Sequence, residues 1–185
     1  APIASKKLVG GGCDGCEIMY VGMPDTVAAT HTSMGWLAGK QPLLLKGKIF
    51  QLDGKTPAPN VIVYYWHTDD GGLYASNNQV PKEASRHGNL RGWVKSDEQG
   101  NYTIKTSRPA AYPGEDIPEH IHLSIKEPGI DNEYYADLYF DDDPRYLPHK
   151  KKYGNPDRAG TEILRVLLDK EMQVAEHNII LGLNI

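Results

Sequence analysis

Apolar positions in this chain recur at every second residue more often than at helical spacing, and they come in short runs. Residues 118–125 show the pattern best. Ile121, Leu123 and Ile125 fall on one side of an extended chain, and His120 and His122 share the other. Residues 43–50 form another apolar run, 61–66 are β-branched and then aromatic, and 90–95, 102–106 and 133–140 repeat the strand pattern. Between them lie turn-forming sequences: Asp53-Gly54 with Pro57 and Pro59, Asp69-Asp70-Gly71-Gly72, Ser96-Asp97-Glu98-Gln99-Gly100, and Asp141-Asp142-Asp143-Pro144. The turn at 96–100 predicts a hairpin between 90–95 and 102–106. Residues 161–175 fit an amphipathic helix, but their β-rich runs around Asp169-Lys170-Glu171 favour a closing hairpin. Residues 75–90 and 144–160 read as long polar loops. The pattern predicts an all-β fold, a β-sandwich of mostly antiparallel strands with long connecting loops and little helix. Residues 1–42 lack a period and read as an extended arm laid over a domain spanning 43–185.

Composition narrows the classes. A chain of 185 residues is the size of one domain with a substantial core. With 39% hydrophobic and 24% charged residues it is ordinary for a globular protein. A net charge of −4, and no basic block beyond Lys150-Lys151-Lys152, argue against nucleic acid as a partner. No apolar run is long enough for a membrane span. The two cysteines, in Cys13-Asp14-Gly15-Cys16, are too few to close a zinc site. A short-loop disulfide is the leading reading, ahead of free thiols and of a redox motif. The chain starts at Ala1, which fits removal of an export signal and equally a trimmed chain. The expectation is a secreted or periplasmic location, with the cytoplasm as the alternative.

Two histidines side by side on a strand can reach one metal ion, but a bare His-x-His is more often a surface pair. Other ligands must decide. Tyr74 follows a turn and Tyr112 sits in a loop stiffened by Pro109 and Pro113. A phenol with a pKa near 10 is a poor ligand at neutral pH, but a hard trivalent cation stabilises the phenolate. Two phenolates with two imidazoles suit Fe(III) better than zinc, and differ from the all-oxygen sites of calcium and magnesium. The residues alone do not single out these two among eleven tyrosines.

Residues 43–140 resemble the intradiol ring-cleavage dioxygenases, the family of catechol 1,2- and protocatechuate 3,4-dioxygenases. The resemblance runs in order through Lys46-Gly47-Lys48-Ile49, the Asp53-Gly54 turn, Val63 to Trp66, and Asp69, Gly71 and Tyr74. It continues through Arg91-Gly92, Ser96-Asp97 with Gly100 and Tyr102, and Thr106, Arg108-Pro109 and Tyr112-Pro113. Pro118 with His120-Ile121-His122, then Phe140 and Asp143-Pro144, complete it. The resemblance implies a non-haem Fe(III) cofactor held by Tyr74, Tyr112, His120 and His122. It further implies that Tyr112 leaves the metal when a catechol-type substrate chelates it and then takes a proton. With O2, the ring opens between its two hydroxylated carbons to a muconate-type diacid.

Two departures stand out. The family places an arginine three residues before its first histidine ligand, where this chain has Ile117. Arg86, His87, Arg91 and Arg108 are the candidates to replace it. For Arg91 and Arg108 the alternative is a structural role paired with carboxylates; for His87, a solvated loop; for Trp66, a core aromatic. The first 42 residues also cannot supply the helical region through which catechol 1,2-dioxygenases dimerise. An exported minimal enzyme of this kind would meet plant or lignin-derived polyphenols. His31, His67, His149 and His177 read as ordinary surface or hydrogen-bonded histidines, and loops 75–90 and 144–160 as the rim of a substrate mouth. A non-catalytic transthyretin-like binding module and an iron oxygenase with altered chemistry are the alternatives.

Overall fold

Runs of β-branched and aromatic residues become strands here because at least one face of most runs finds cover, and on β3 nearly both do. The computed structural model describes residues 15–154 and 157–185. Its strands are β1 (Thr30–Thr32), β2 (Pro42–Phe50), β3 (Ile62–Trp66), β4 (Arg91–Lys95), β5 (Asn101–Ser107), β6 (His120–Lys126), β7 (Tyr134–Phe140), β8 (Ile163–Leu164), β9 (Val166–Asp169), β10 (Met172–Glu176) and β11 (Ile179–Ile180). Two helices, α1 (Gly35–Ala38) and α2 (Tyr146–Tyr153), and 3-10 turns at Cys16–Tyr20 and Lys82–His87 accompany them. One sheet runs β1-β5-β2-β10-β9, with β11 also on β2; the other runs β4-β3-β6-β7-β8. The central pairings β2/β5, β3/β4, β3/β6 and β6/β7 are antiparallel, while β1/β5, β2/β10, β2/β11 and β7/β8 are parallel. The fold is thus the expected β-sandwich, built of two mixed sheets.

Between the sheets lie Leu43, Leu45 and Ile49 of β2, Ile104 of β5, Val63 and Tyr65 of β3, and Ile121, Leu123 and Ile125 of β6. Each is almost fully removed from water, and at about 25 cal/mol per Å2 such burial is what holds the sheets together. The opposite face of β3 is covered too. Tyr64 and Trp66 pack with Met19 from the Cys16–Tyr20 turn, which Arg91 ties down through Ile18 O (3.3 Å) and Val21 O (2.8 Å). Cys16 is buried and disulfide-bonded; Cys13 lies outside the described residues. Part of the stretch without periodicity is ordered: Thr30–Thr32 adds an edge strand beside β5.

Three expectations need correction. The residues read as a hairpin, β4 and β5, belong to different sheets. The 96–100 turn forms, but Ser96 Oγ accepts from Val61 N (3.0 Å) and donates to Ala58 O (2.7 Å), and Gly100 O accepts from Ile49 N (2.8 Å). It therefore bridges the sheets, since a turn fixes the chain's reversal and not its later partners. Residues 144–160 contain helix α2. It is polar enough to hide its period; buried Tyr146 anchors it through Glu162 (2.8 Å), and Lys150, Lys151 and Lys152 occupy its last turn, where the helix dipole favours cations. His87, expected in solvent, is buried. The closing hairpin is present as β9 and β10, so the helical alternative for 161–175 fails.

His67 and His177 are buried, hydrogen-bonded residues. Burial lowers both to about 4, against hydrogen bonds to Thr68 O and Thr161 O. A histidine with a depressed native pKa binds fewer protons folded than unfolded, so its neutral form stabilises the protein above pH 6.5 and that stability drains as pH falls towards 4. Between pH 7 and 5 the expected loss is roughly 2 kcal/mol for each histidine. Urea unfolding at the two pH values checks this. The His177→Asn variant should lose less stability over the interval than the parent; an equal loss would refute the assignment.

Candidate metal centre

Cross-strand register builds the floor of the site. In β6, His120 and His122 lie opposite Tyr139 and Asp137 of β7, and His122 also lies opposite Trp66 of β3. Trp66, His122 and Asp137 therefore form one row across three strands. The His122 ring stacks on Trp66 at 4.8 Å, and its Nδ1 meets Asp137 Oδ1 at 2.7 Å. Trp66 is backed in turn by His87, coplanar within 4° at 4.1 Å. His87 Nδ1 lies 2.8 Å from the Tyr64 hydroxyl.

Two loops bring the tyrosines over this floor. Asp69 shapes the first, accepting from Gly71 N (2.9 Å) and Leu73 N (3.0 Å) through its carboxylate. The second is stitched to it: Ala110 N donates to Asp69 O (3.0 Å) and Thr68 Oγ1 donates to Ala110 O (2.7 Å). Gly72 lies between them with φ +78°, and a Cβ there would sit 2.1 Å from Ala111 O. Only glycine permits that approach.

The four side chains converge. Tyr74 Oη lies 2.5 Å from Tyr112 Oη and 3.0 Å from His122 Nε2. Tyr112 Oη is 3.1 Å from His120 Nε2 and 3.4 Å from His122 Nε2, and the two Nε2 atoms are 3.1 Å apart. Donors about 2 Å from a shared ion stand roughly 3 Å from one another, so the spacing fits one metal. Tautomers point the same way. His120 Nδ1 is 2.6 Å from Pro118 O and His122 Nδ1 faces the Asp137 carboxylate. Both acceptors require a proton on Nδ1, which leaves two Nε2 lone pairs facing each other, the arrangement a cation answers.

Electrostatics divides the donors. Burial, reinforced by His122, lowers His120 to about 4, so its imidazole is a neutral donor. Burial raises both phenols, Tyr74 far beyond its ordinary range with Tyr112 adding to the effect. Burial alone would raise Asp137, but the hydrogen bond with His122 and the nearby imidazoles hold its carboxyl below the ordinary range. Among the described residues no group of three or more His, Cys, Asp and Glu side chains could hold a metal. The donors that converge here are two imidazoles and two phenol oxygens.

Arg91 and Arg108 are not brought to the donors. Arg91 lies over Tyr64 and Trp93 and donates to Tyr64 Oη at 2.8 Å. Arg108, nearly buried, donates to Glu119 (2.8 Å) and forks onto Asp142 (2.9 and 2.6 Å), fixing the chain one residue ahead of His120. Asp137 is the site residue the sequence reading missed. Its one signal is a carboxylate in mid-strand between Ala136 and Leu138. A cavity of about 310 Å3 opens on Tyr74, His122, Asp137, Trp66 and Arg86. A larger one of about 690 Å3 lies between residues 115–117 and α2 and is lined by Ile117.

The model of the family described as "Dioxygenase" matches residues 22–154, most of the chain. The chain belongs to the intradiol dioxygenase family. It is similar to the catechol 1,2-dioxygenase of Acinetobacter baylyi, 34% identical over 95 residues, covering 51% of this chain and 30% of that protein. A catechol 1,2-dioxygenase of Candida albicans is 26% identical over 161 residues, covering 71% of this chain and 51% of that one. The chain thus spans about half or less of these curated relatives. Among solved structures, the dioxygenase domain of a dioxygenase–carbohydrate-binding fusion from Streptomyces sp. SirexAA-E superposes with TM-score 0.65 at 22% identity, covering 95% of this chain and 99% of that one. Hydroxyquinol 1,2-dioxygenase from Pseudomonas putida superposes with TM-score 0.62 at 22% identity over 86% of this chain and 61% of that one. At these identities the likeness is one of fold. Among the described residues no helix is long and apolar enough to cross a membrane.

Proposed function

We propose that Tyr74, Tyr112, His120 and His122 hold one ferric ion, and that the chain opens a catechol-type ring between its two hydroxylated carbons, using O2, to give a muconate-type diacid. The observation that carries this reading is the convergence of four donors whose two imidazoles are both fixed with Nε2 facing inward. Family membership supports it. Bound ferric iron supplies the Lewis acidity and electron-accepting character through which a chelated catecholate reacts with O2.

The chain's own residues do the rest. His120 and His122 would be the nitrogen donors on a rigid strand, and Asp137 orients the His122 ring through Nδ1. Tyr74 would be the anchoring phenol ligand. Tyr112, on its own loop, would be the second and would accept a proton from a substrate hydroxyl. Trp66 and His87 wall the site with stacked rings and limit water. Arg108 and Arg91 act as supports: Arg108 holds the start of β6, and Arg91 the turn that covers the aromatic cluster. The disulfide at Cys16 supports export, since such bonds persist in oxidising compartments.

The test is a visible spectrum and total iron on the same purified sample. Phenolate-to-ferric charge transfer should give a broad visible band with about one iron per chain, shifting when catechol is added under nitrogen. A colourless protein that cannot be loaded with ferric iron would overturn the reading.

A further inference from the structure

We infer that the larger cavity is a subsite for a second aromatic ring of the substrate, so that the chain prefers aryl-substituted catechols to catechol itself. This rests on the function proposed above and goes further by naming the substrate class.

Size is the first observation. About 690 Å3 lies within the range that holds drug-sized ligands and is far more than one benzenoid ring requires. The second is position. Residues 115–117 form one wall and continue the loop of Tyr112, with Glu115 N donating to Tyr112 O at 3.2 Å. On the other wall the His149 ring stands 5.6 Å from Tyr139, whose ring is 5.8 Å from His120. Tyr139 thus stands between the His149 wall of the cavity and His120, and the loop of Tyr112 runs on into the opposite wall.

The lining favours a ring. Ile117, Pro144, Pro148 and Tyr153 present apolar surface, and Tyr153 is 65% exposed, so an aromatic ligand would cover a face now in water. Ile117 also explains its own departure from the family pattern. A cation there would charge this wall, whereas isoleucine makes it a surface for ring contact. The rim carries both signs in balance, Glu115 and Asp116 against Arg145 and Lys152, which leaves the apolar lining to set the preference for a ring. His149 also lines the cavity, and its buried Nδ1 has no hydrogen-bond partner among the described residues, leaving it able to turn towards a ring hydroxyl.

The test begins without metal. 4-Hydroxybiphenyl, which has no vicinal hydroxyls to chelate iron, is titrated into metal-free protein by calorimetry and is expected to bind at least tenfold more tightly than phenol. Ile117→Trp fills the cavity and Tyr153→Ala removes an exposed stacking face without touching the core; each should weaken binding tenfold or more. With ferric protein, O2 uptake should give a kcat/KM at least tenfold higher for 4-phenylcatechol than for catechol, with the ratio falling in both variants. Absent or variant-insensitive binding of 4-hydroxybiphenyl would overturn the subsite. So would equal kcat/KM for the two catechols. Cavity-dependent binding with no turnover of either catechol would uphold the subsite and refute the dioxygenase reading instead.

Discussion

Tyr74→Phe is expected to abolish the visible band, lower bound iron well below one per chain, and reduce catechol cleavage by about a thousandfold or more. The substitution removes only an oxygen. That oxygen meets Tyr112 Oη at 2.5 Å and His122 Nε2 at 3.0 Å, and phenylalanine keeps the ring where it packs beside the Trp66 cluster. A loss of iron without a loss of fold would therefore report ligation. Tyr112→Phe makes the informative contrast. If Tyr112 is the ligand that yields to substrate, its variant should retain iron better than Tyr74→Phe and fail at proton transfer instead. Iron analysis, the charge-transfer band and O2 uptake on the three proteins check this. Equal iron and equal activity in the parent and Tyr74→Phe would remove Tyr74 from the site.

Gly72→Ala should cost at least a hundredfold in activity while leaving the sandwich folded. The added Cβ would stand 2.1 Å from Ala111 O at a residue with φ +78°. The added Cβ meets backbone, so no side-chain rotation relieves the conflict, and the loops bearing Tyr74 and Tyr112 must part. A misplacement near 1 Å in a catalytic group costs on the order of a hundredfold. Gly114→Ala is the matched control. It has the same left-handed backbone, φ +75°, but nothing among the described residues within 4 Å of its added Cβ. It should show only the conformational penalty, about 1 kcal/mol. Circular dichroism and thermal melting confirm the fold, and iron content and O2 uptake measure the site. Equal activity in the two variants would show that the Gly72 contact does not set the tyrosine geometry.

Period 2 at 118–125 is a local property of a strand, and it placed Ile121, Leu123 and Ile125 in the core and His120 and His122 on the other face. The tyrosines were not legible from spacing: Tyr74 and Tyr112 are 38 positions apart in different loops, and only the family resemblance selected them. Asp137 escaped because its importance comes from register between β6 and β7, which no single strand encodes. His87 was misplaced because burial of a loop residue depends on what lies across from it, here Trp66.

By itself the sequence determined the central strands, the all-β class and, through ordered motifs, the family. These follow from alternation, turn chemistry and fixed local spacings. Tertiary structure decided what depends on distant partners. It sent β4 and β5 to different sheets, set Asp137 behind His122, closed the Asp69 and Ala110 loops on each other, and raised helix α2 over a cavity floored by Ile117. The physical reason is that a backbone prefers a conformation locally, while the groups it pairs with are chosen by which other segments can be buried against it.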